Sequence, residues 1–312
     1  MRVCVTGAAG FIGSHVVDAL SSFAEVSGID DLSSGSLHNL DGSSCRLVEG
    51  SILDADALTA ATSGVDAIVH LAARPSVPRS IADPAASHAA NATGTMMVLE
   101  AARAAGGAQV IVASSSSVYG ANPELPKHER LVPQPMSPYA ASKLATEQYA
   151  LAWGHSYELP VLPFRFFNVF GPRQAPGHAY AAVVPAFLHA ALRNEPVTVH
   201  GDGTQSRDFT YVGSVARTIA DAVQRRVTSD GPVNLAFGSR VTLLELLDRL
   251  ENLLGGSIER IHTERRPGDV PHSQADSARL SGLFPAVAPV HLDEGLAETA
   301  AWMRRYLAAV VG

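Results

Sequence analysis

The sequence is poor in cysteine, in charged residues and in long apolar runs. Two cysteines occur among 312 residues, Cys4 in an apolar strand pattern and Cys45 in a polar stretch. Cysteines so few and so placed exclude a disulfide scaffold and a thiolate metal site, and they fit a reducing compartment. The 12 histidines are scattered without the spacing of metal ligands, which argues against a metal enzyme.

Charged residues make up 17% of the chain and the balance is acidic, with a formal net charge of -7 and a pI near 5.9. This balance argues against a nucleic-acid partner and against a membrane surface. The most apolar window, 179–192, is short and interrupted by Pro185 and His189, so no membrane span is predicted. Strand-like sequence begins at Arg2, which leaves no room for a signal peptide. We expect a cytoplasmic protein.

What the first half of the chain does contain is an alternation of short apolar runs with helical patterns. This alternation predicts an α/β fold with a doubly wound parallel sheet built from βαβ units. The predicted strands are Val3–Thr6, Glu25–Ile29, Arg46–Val48, Ala67–His70, Gln109–Ala113 and Val161–Phe167. The predicted helices are Phe11–Ser21, a short one near Ala55–Ala61, Ala85–Ala105 and Pro138–Trp153.

After Phe170 the pattern becomes less regular and predicts a smaller C-terminal α/β lobe that holds the substrate. We expect residues 1–170 to form the nucleotide-binding domain, residues 171–312 the substrate lobe, and segments near 212–237 to fold back onto the first domain. Thr242 and Glu245 have the spacing of a capping box and predict a helix that ends at Leu254.

Three glycines, Gly7, Gly10 and Gly13, follow the first predicted strand and open the first helix. Gly7 allows a tight turn, Gly10 lets the backbone approach a pyrophosphate, and Gly13 lets the helix pack closely on the strand. Asp30 ends the second strand, where a carboxylate can bind the ribose diol of adenosine and repel a 2′-phosphate. The pattern predicts a Rossmann-type site that prefers NAD to NADP. Asp31 is either a second cofactor contact or a solvated turn residue.

Tyr139 and Lys143 lie four residues apart in a predicted helix, on the same face. A Lys143 ammonium beside the Tyr139 hydroxyl would favour the phenolate and lower the pKa of the phenol from its ordinary value of about 10. Upstream, the serine run 114–117 follows a predicted strand at the ligand-binding edge of the sheet, where hydroxyls can bond a sugar hydroxyl or ketone. The two motifs predict proton transfer beside NAD.

Taken in order, these motifs resemble those of the extended short-chain dehydrogenase/reductase family, and in particular its NAD-dependent nucleotide-sugar epimerases. The resemblance implies a UDP-sugar substrate and a homodimer packed through the helices near 85–105 and 138–153. It extends over Thr6–His15, Asp30–Ser33, His70–Ala73, Asn91–Gly94, Ser114–Gly120, Tyr139–Lys143, Arg165–Gln174, Gly201–Gly203, Ser206–Phe209 and Arg266–Asp269.

The resemblance also implies residue roles by position. Tyr139 would be the catalytic base, Lys143 its partner and Ser115 the catalytic hydroxyl. The implied cofactor contacts are Gly7, Gly10, Phe11, Ile12, Gly13, Asp30, Asp31, Ser33, Ser51, Ile52, Leu71, Ala72, Ala73, Asn91, Tyr139 and Lys143. The implied substrate contacts are Ser76, Ser115, Ser116, Ser117, Tyr139, Asn168, Arg173, Val183, Arg207, Arg266 and Asp269. Ser51 replaces an aspartate that contacts adenine in many members, a difference that affects one hydrogen bond and not the cofactor itself.

Two departures from the family narrow the reaction. Family dehydratases have an Asp-Glu pair where this chain has Ser116 and Ser117, and family UDP-glucuronate decarboxylases have a glutamate at the position of Ser117. The first difference argues against elimination of water from the sugar, and the second argues against decarboxylation. We therefore expect inversion at C4 of a UDP-hexose or UDP-hexuronate through a transient 4-keto sugar. Tyr139 would take the C4 hydroxyl proton directly or through Ser115.

Several alternatives stay open at this point. Ser116 and Ser117 suit a C6 carboxylate or a C6 hydroxymethyl group equally well. The segments 76–80 and 173–180 resemble those of UDP-N-acetylhexosamine 4-epimerases. A UDP-N-acetylglucosamine 4-epimerase is therefore the next candidate after an epimerase of UDP-hexoses or UDP-hexuronates. A net nucleotide-sugar dehydrogenase or reductase and a regulatory NAD-binding protein are further alternatives, the last disfavoured by the intact Ser115, Tyr139 and Lys143.

Overall fold

The computed structural model describes residues 1–176, 182–264 and 270–311. Its strands are β1 (Arg2–Thr6), β2 (Glu25–Asp30), β3 (Arg46–Glu49), β4 (Ala67–His70), β5 (Gln109–Ser115), β6 (Val161–Phe166), β7 (Val169–Phe170), β8 (Val197–His200), β9 (Ser206–Arg207), β10 (Thr210–Tyr211), β11 (Val233–Leu235), β12 (Val241–Thr242) and β13 (Arg260–Thr263). Its helices are α1 (Phe11–Leu20), α2 (Ala55–Thr62), α3 (Val77–Ala82), α4 (Pro84–His88), α5 (Gly94–Ala104), α6 (Pro138–Tyr157), α7 (Val183–Leu192), α8 (Val212–Gln224), α9 (Leu243–Leu254), α10 (Ala278–Leu283) and α11 (Leu292–Val311).

Seven strands form one parallel sheet in the order β11-β6-β5-β4-β1-β2-β3. The prediction of a Rossmann-type doubly wound sheet is confirmed. The chain reverses its direction of winding between β1 and β4, which are neighbours in the sheet. In open α/β sheets the crevice at such a reversal, outside the carboxyl ends of the strands, is where ligands bind.

The two faces of the sheet are buried by different helices, because side chains alternate along each strand. Val3 and Val5 of β1 pack in one apolar core with helices α1 and α8. Cys4, between them, packs in the opposite core with α2, α5 and α6. Burial raises the pKa of Cys4 to about 12. The central strands of the sheet are thus covered on both faces, as is usual in a parallel sheet.

The region predicted as one helix, 85–105, is divided into α4, a π-helical turn over Ala89–Thr93, and α5. The physical reason lies at Asn91, whose carbonyl accepts hydroxyl hydrogen bonds from Thr95 at 2.5 Å and from Thr146 of α6 at 2.9 Å. The two hydroxyl groups compete for a carbonyl that would otherwise accept only the backbone N–H four residues on, as in a regular α-helix. Such turns occur often at functional sites. Helix α3 was not predicted.

A third apolar core lies among α7, α9, α11 and strand β8, and includes Leu188, Val199, Leu246 and Met303. The capping box of α9 is present, with Thr242 and Glu245 bonded to each other's backbone N–H groups. Strand β11 pairs with β6, and α8 packs on α1, so both belong to the first core. The division near residue 170 stays a prediction, and these separate cores support it.

In the part of the chain that the structure describes, no helix combines the length and the apolar character that crossing a membrane requires. Within the same ranges, no group of three or more His, Cys, Asp or Glu side chains is arranged to hold a metal ion.

Candidate active site

A cleft of about 1460 Å³ opens at the carboxyl edge of the sheet, where β1 and β4 end. Its walls are the glycine turn after β1, the end of β2, the serine run that ends β5 and continues beyond it, and the first turns of α6. The cleft therefore joins the predicted nucleotide site to the predicted proton-transfer residues.

The glycine turn is shaped so that only glycine fits at two of its positions. Gly7 has a φ of +72°, and a Cβ on it would lie 2.9 Å from the Ala72 backbone nitrogen. A Cβ on Gly13 would lie 1.9 Å from the Gly7 carbonyl oxygen. Gly10 is the N-cap of α1 and has no side chain to bond the first N–H groups of the helix. These groups have no intrahelical partner, so they are available to a pyrophosphate.

Asp30 ends β2 with its carboxylate held by backbone N–H groups. Oδ2 accepts from Ala9 and Oδ1 from Leu32, each at 2.9 Å. Burial raises the pKa of Asp30, and these backbone hydrogen bonds oppose that shift. Asp30 lines the cleft, where its carboxylate can accept the hydroxyl groups of a ribose diol. The glycine turn, the free helix N-terminus and this carboxylate together fit NAD.

A chain of buried hydrogen bonds supports the glycine turn from behind. His70, fully buried at the end of β4, bonds Thr6 Oγ1 through Nδ1 at 2.8 Å and Thr95 Oγ1 through Nε2 at 3.0 Å. Burial lowers the pKa of His70 to about 3, and the nearby Lys143 acts in the same direction. His70 is therefore neutral and structural at physiological pH. Thr6 Oγ1 also accepts from the Ala72 N–H, at 3.1 Å.

Tyr139 lies at the second position of α6, which begins with Ser137 as N-cap and Pro138 as its first residue. The Tyr139 N–H donates to the buried Ser80 Oγ at 3.0 Å, which fixes the start of the helix. Tyr139 and Ser115 both line the wall of the cleft. Burial raises the pKa of Tyr139 above its ordinary value, and the Ser115 hydroxyl opposes that rise.

Lys143 is buried one turn farther along α6, and its ammonium donates to the Ala113 carbonyl of β5 at 2.8 Å. Burial lowers the pKa of Lys143 to about 8. The expectation that Lys143 lowers the pKa of Tyr139 is wrong for this structure. The net shift of Tyr139 is upward because burial dominates, and the group that lowers its pKa is Ser115.

The serine run turns its hydroxyls toward different partners. Ser114 donates to the buried Glu147 Oε2 at 3.0 Å. Glu147 in turn forms two hydrogen bonds with Arg165, at 2.7 and 2.8 Å, in a pair that is almost wholly buried. Ser117 donates its hydroxyl to Ser115 Oγ at 2.9 Å. The second, third and fourth serines of the run thus face the cleft beside Tyr139, while the first also braces α6.

A sequence model of the NAD dependent epimerase/dehydratase family matches residues 3–236. The UDP-glucose 4-epimerase of Mycolicibacterium smegmatis is 37% identical over 97% of this chain and 99% of its own.

This chain belongs to the NAD dependent epimerase/dehydratase family. The family resemblance predicted from the motifs is confirmed, and with it NAD as the cofactor and an enzymatic role.

Two solved structures of this family are also similar. A UDP-N-acetylglucosamine 4-epimerase from Methanobrevibacter ruminantium, in complex with UDP-N-acetylmuramic acid, has a TM-score of 0.93 and 37% identity, covering 98% of both chains. A UDP-glucuronic acid 4-epimerase from Bacillus cereus, in complex with UDP-glucuronic acid and NAD, has a TM-score of 0.90 and 31% identity, covering 98% of this chain and 100% of that one.

Most residues predicted for the site of this family member lie together in the cleft. Those that line it are Gly7, Gly10, Phe11, Ile12, Gly13, Asp30, Asp31, Ser33, Ser51, Ile52, Leu71, Ala72, Ala73, Ser76, Ser115, Ser116, Ser117, Tyr139, Lys143, Asn168 and Arg207. Ser76 has a φ of +99°, a backbone strain of the kind that clusters at functional sites. Arg207 donates to the carbonyls of Ser206 and Pro271. Arg266 and Asp269 lie outside the described residues.

Three predicted contacts lie elsewhere. Asn91 is buried behind the cleft wall, where its side chain accepts from the Arg74 N–H at 2.7 Å and donates to Ser142 Oγ at 2.9 Å. Arg173 pairs with Asp18 of α1 at 2.7 Å and does not line the cleft. Val183 begins α7, also outside the cleft lining. Asn91 thus joins the loop after β4 to α6, which supports the site without facing the cleft.

Some cleft residues were not predicted from the sequence. Lys127 is 4% exposed, and its ammonium donates to the Asn122 carbonyl. Met136 and His272 also line the cleft. A lone lysine in a polar, proline-containing stretch has no sequence signal that separates it from a solvated one, because tertiary pairing with residues 274–276 buries it.

Proposed function

We propose that this protein is a UDP-sugar 4-epimerase that inverts C4 of a UDP-hexose or UDP-hexuronate. The supporting observation is the chemistry of the cleft wall around Tyr139. Among the described residues that line the cleft, the carboxylates are Asp30 and Asp31, both at the end of β2. Among the described residues, the wall around Tyr139 offers the hydroxyls of Ser115 and Ser116 and the Lys143 ammonium but no carboxyl group, so elimination of water lacks a carboxylic general acid.

Tyr139 is the proton carrier in this proposal. Its oxygen takes the proton of the C4 hydroxyl as the sugar is oxidised and returns a proton when the sugar is reduced. NAD, when bound, supplies a reversible acceptor of hydride for the C4 carbon. The residues that would hold it are the glycine turn and Asp30, while Ser115 supports the phenolate form of Tyr139. Lys143, anchored on the Ala113 carbonyl, brings a cation to the same wall.

The nucleotide part of the substrate is proposed as UDP. Arg207 and Asn168 line the cleft away from the glycine turn, and a planar guanidinium suits a diphosphate. The similar structures described above contain UDP-sugars. A tightly bound diphosphate with a less constrained sugar is what inversion at C4 requires, because the sugar must present both faces.

The favoured sugars are a hexose or hexuronate. Ser116 and Ser117 line the cleft as small hydroxyls, which accept a hydroxymethyl group or bond a carboxylate. The relative from Mycolicibacterium smegmatis is named a UDP-glucose 4-epimerase, and the Bacillus cereus structure contains UDP-glucuronic acid.

A UDP-N-acetylhexosamine is the second candidate. The observation in its favour is the similarity to the UDP-N-acetylglucosamine 4-epimerase of Methanobrevibacter ruminantium. The segment 76–80, which motivated this alternative, contributes Ser76 and Arg79 to the cleft wall.

The test is incubation of the purified protein, supplied with NAD, with UDP-glucose, UDP-glucuronate and UDP-N-acetylglucosamine in separate reactions, followed by separation of the C4 epimers. We expect conversion of a hexose or hexuronate at the highest kcat/KM. Exclusive conversion of the N-acetyl sugar supports the second candidate. Accumulation of NADH in step with substrate use indicates a net dehydrogenase, and no conversion of any sugar contradicts the proposal.

A homodimer and a cytoplasmic location are the remaining proposals. Helices α5 and α6 present Met96, Tyr149 and Tyr157 to solvent, 37%, 37% and 51% exposed. Large apolar side chains on adjacent helices are typical of a surface that a second copy covers. Light scattering of the intact protein tests the dimer, and Tyr149→Glu, a charge on that surface, should convert it to a monomer.

A further inference from the structure

His272 lies on the cleft wall with one ring nitrogen fixed from behind. Its Nδ1 is hydrogen-bonded to Ser206 Oγ at 2.9 Å. Ser206 belongs to β9, is fully buried and does not line the cleft, whereas His272 does. The imidazole therefore extends from the buried serine to the cleft. Within the described ranges of the chain, the other ring nitrogen, Nε2, makes no hydrogen bond.

The backbone holds His272 close to Arg207. The Ser206 N–H donates to the Pro271 carbonyl at 3.1 Å, and the Ser273 N–H donates to the Ser206 carbonyl at 3.0 Å, so the segment around His272 pairs with β9. Arg207, the next residue of β9, donates through Nη1 to the same Pro271 carbonyl at 3.3 Å. The imidazole and the guanidinium thus belong to paired segments that both line the cleft.

The Ser206 hydroxyl determines which ring nitrogen of His272 carries the proton. Arg240 Nε donates to Ser206 Oγ at 3.0 Å, so the serine oxygen is the acceptor in that bond. The serine proton needs an acceptor of its own, because an unpaired buried hydroxyl is costly. Among the described residues, the acceptor within reach of this proton is His272 Nδ1. In the neutral imidazole the ring proton is then on Nε2, the nitrogen that is left for a ligand.

The three side chains form a chain of hydrogen bonds that runs in one direction. Arg240 donates to Ser206, Ser206 donates to His272, and His272 keeps its Nε2–H for a group in the cleft. Hydrogen bonds aligned in this way polarise one another, so the last donor is strengthened. A chain that starts at a guanidinium and ends at an N–H is suited to an anionic acceptor. Because Arg207 is close by, the anion that fits is a phosphate.

We propose that His272 is a further substrate-binding residue, whose Nε2–H donates to a phosphate oxygen of the UDP-sugar close to Arg207. This inference deepens the proposed function and rests on it, since the diphosphate is part of the proposed substrate. The diphosphate takes no part in the reaction at C4. The hydrogen bond from His272 is therefore equally strong in the ground state and in the transition state, and it increases substrate affinity without changing the chemical step.

Two substitutions of His272 separate the roles of its ring nitrogens. The amide of asparagine lies as far from the backbone as Nδ1, so His272→Asn keeps a partner for Ser206 and loses the donor in the cleft. The amide of glutamine reaches as far as Nε2, so His272→Gln keeps that donor. In calorimetric titrations of the NAD-loaded proteins with UDP, His272→Asn should raise the Kd about 10- to 100-fold, the usual value of a hydrogen bond to a charged group. His272→Gln should stay within about threefold of the wild type.

Uridine and a second histidine are the controls. Uridine lacks the phosphates, so its Kd, measured by displacement of UDP, should change less than about twofold in His272→Asn. His262 is exposed, lies outside the cleft lining and is bonded through Nδ1 to the Gly201 carbonyl at 2.8 Å. His262→Asn should leave the Kd for UDP at its wild-type value.

An unchanged Kd for UDP in His272→Asn would overturn the inference. An equal loss of affinity for uridine, or a loss in His272→Gln as large as in His272→Asn, would overturn it as well. With a UDP-sugar that is converted, His272→Asn should raise KM by the factor found for UDP and keep kcat within about twofold. If UDP binding responds as predicted while no UDP-sugar is converted, the proposed function fails and the assignment of His272 stands.

Discussion

The Lys143 ammonium donates to the Ala113 carbonyl at 2.8 Å, which anchors helix α6 to the carboxyl end of β5. Lys143 is 5% exposed, and burial lowers its pKa to about 8. A single carbonyl in a narrow, buried space suits an ammonium and not the wider guanidinium. The lysine is thus held as a compact cation on the wall of the cleft.

Replacing Lys143 by arginine should therefore fail to preserve activity even though the charge is kept. We expect Lys143→Arg and Lys143→Met each to reduce kcat/KM by about 10- to 100-fold, the usual value of a hydrogen bond made by a charged group. Steady-state epimerisation assays measure this. More than one tenth of wild-type activity in Lys143→Arg would show that charge alone suffices and that the Ala113 anchor is dispensable.

The pH dependence follows from the upward pKa shift of Tyr139. A base must be deprotonated to act, so kcat should rise with pH toward the pKa of Tyr139, which burial places above its ordinary value. Ser115→Ala removes the hydroxyl that lowers the pKa of Tyr139 against this shift. The rising limb of the pH profile should then move to higher pH by about 0.5 to 1 unit, and kcat at pH 7 should fall. If the rising limb moved to lower pH instead, the result would contradict the downward effect of Ser115 on the pKa of Tyr139.

Asp30 and Asp31 are adjacent carboxylates with different expected effects on NAD binding. Asp30 is 8% exposed and fixed by two backbone N–H groups, whereas Asp31 is exposed and accepts from the Ser33 N–H. Asp30→Asn should raise the Kd for NAD about 10- to 100-fold, the usual value of a charge-assisted hydrogen bond, and should reduce the preference for NAD over NADP. Asp31→Asn should change the Kd for NAD less than about threefold. Calorimetric titration of each variant with NAD and with NADP measures these Kd values, and an equal loss of NAD affinity in the two variants would contradict the special role of Asp30.

His70 should make the protein less stable in mild acid. Its folded pKa is lowered from 6.5 to about 3, so between these values the unfolded state binds the extra proton. The free energy of unfolding should then fall by up to about 1.4 kcal/mol per pH unit as the pH drops below 6.5, from this residue alone. His70→Gln should be less stable at pH 7 and should show a shallower slope in denaturant titrations between pH 6.5 and about 4.5. An identical slope in both proteins would contradict the neutral, buried state of His70.

The sequence predicts the sheet and the position of its cleft well, because both depend on local patterns. Alternating strands and helices determine the sheet, and Gly7, Gly10 and Gly13 mark the strand after which the crevice opens. The spacing of Tyr139 and Lys143 correctly places both on the wall of one cleft. All of these features are properties of short segments.

What the sequence does not reveal are contacts between distant segments. The π-helical turn at Asn91 depends on a bond from Thr146, 55 residues away. Arg173 lies outside the cleft lining because it pairs with Asp18, which is 155 residues away in the chain. Helical spacing places Lys143 near Tyr139 but does not determine which acceptor its flexible side chain reaches, and that acceptor is Ala113.

The measurement that tests the central claim most directly uses a UDP-sugar deuterated at C4, in ordinary water, with the NAD-loaded protein. The account predicts the C4 epimer with deuterium retained at C4, no build-up of NADH, and a rate at least about 100-fold lower in Tyr139→Phe. Loss of the label to water, NADH formed in step with substrate use, or near-normal turnover by Tyr139→Phe would contradict it.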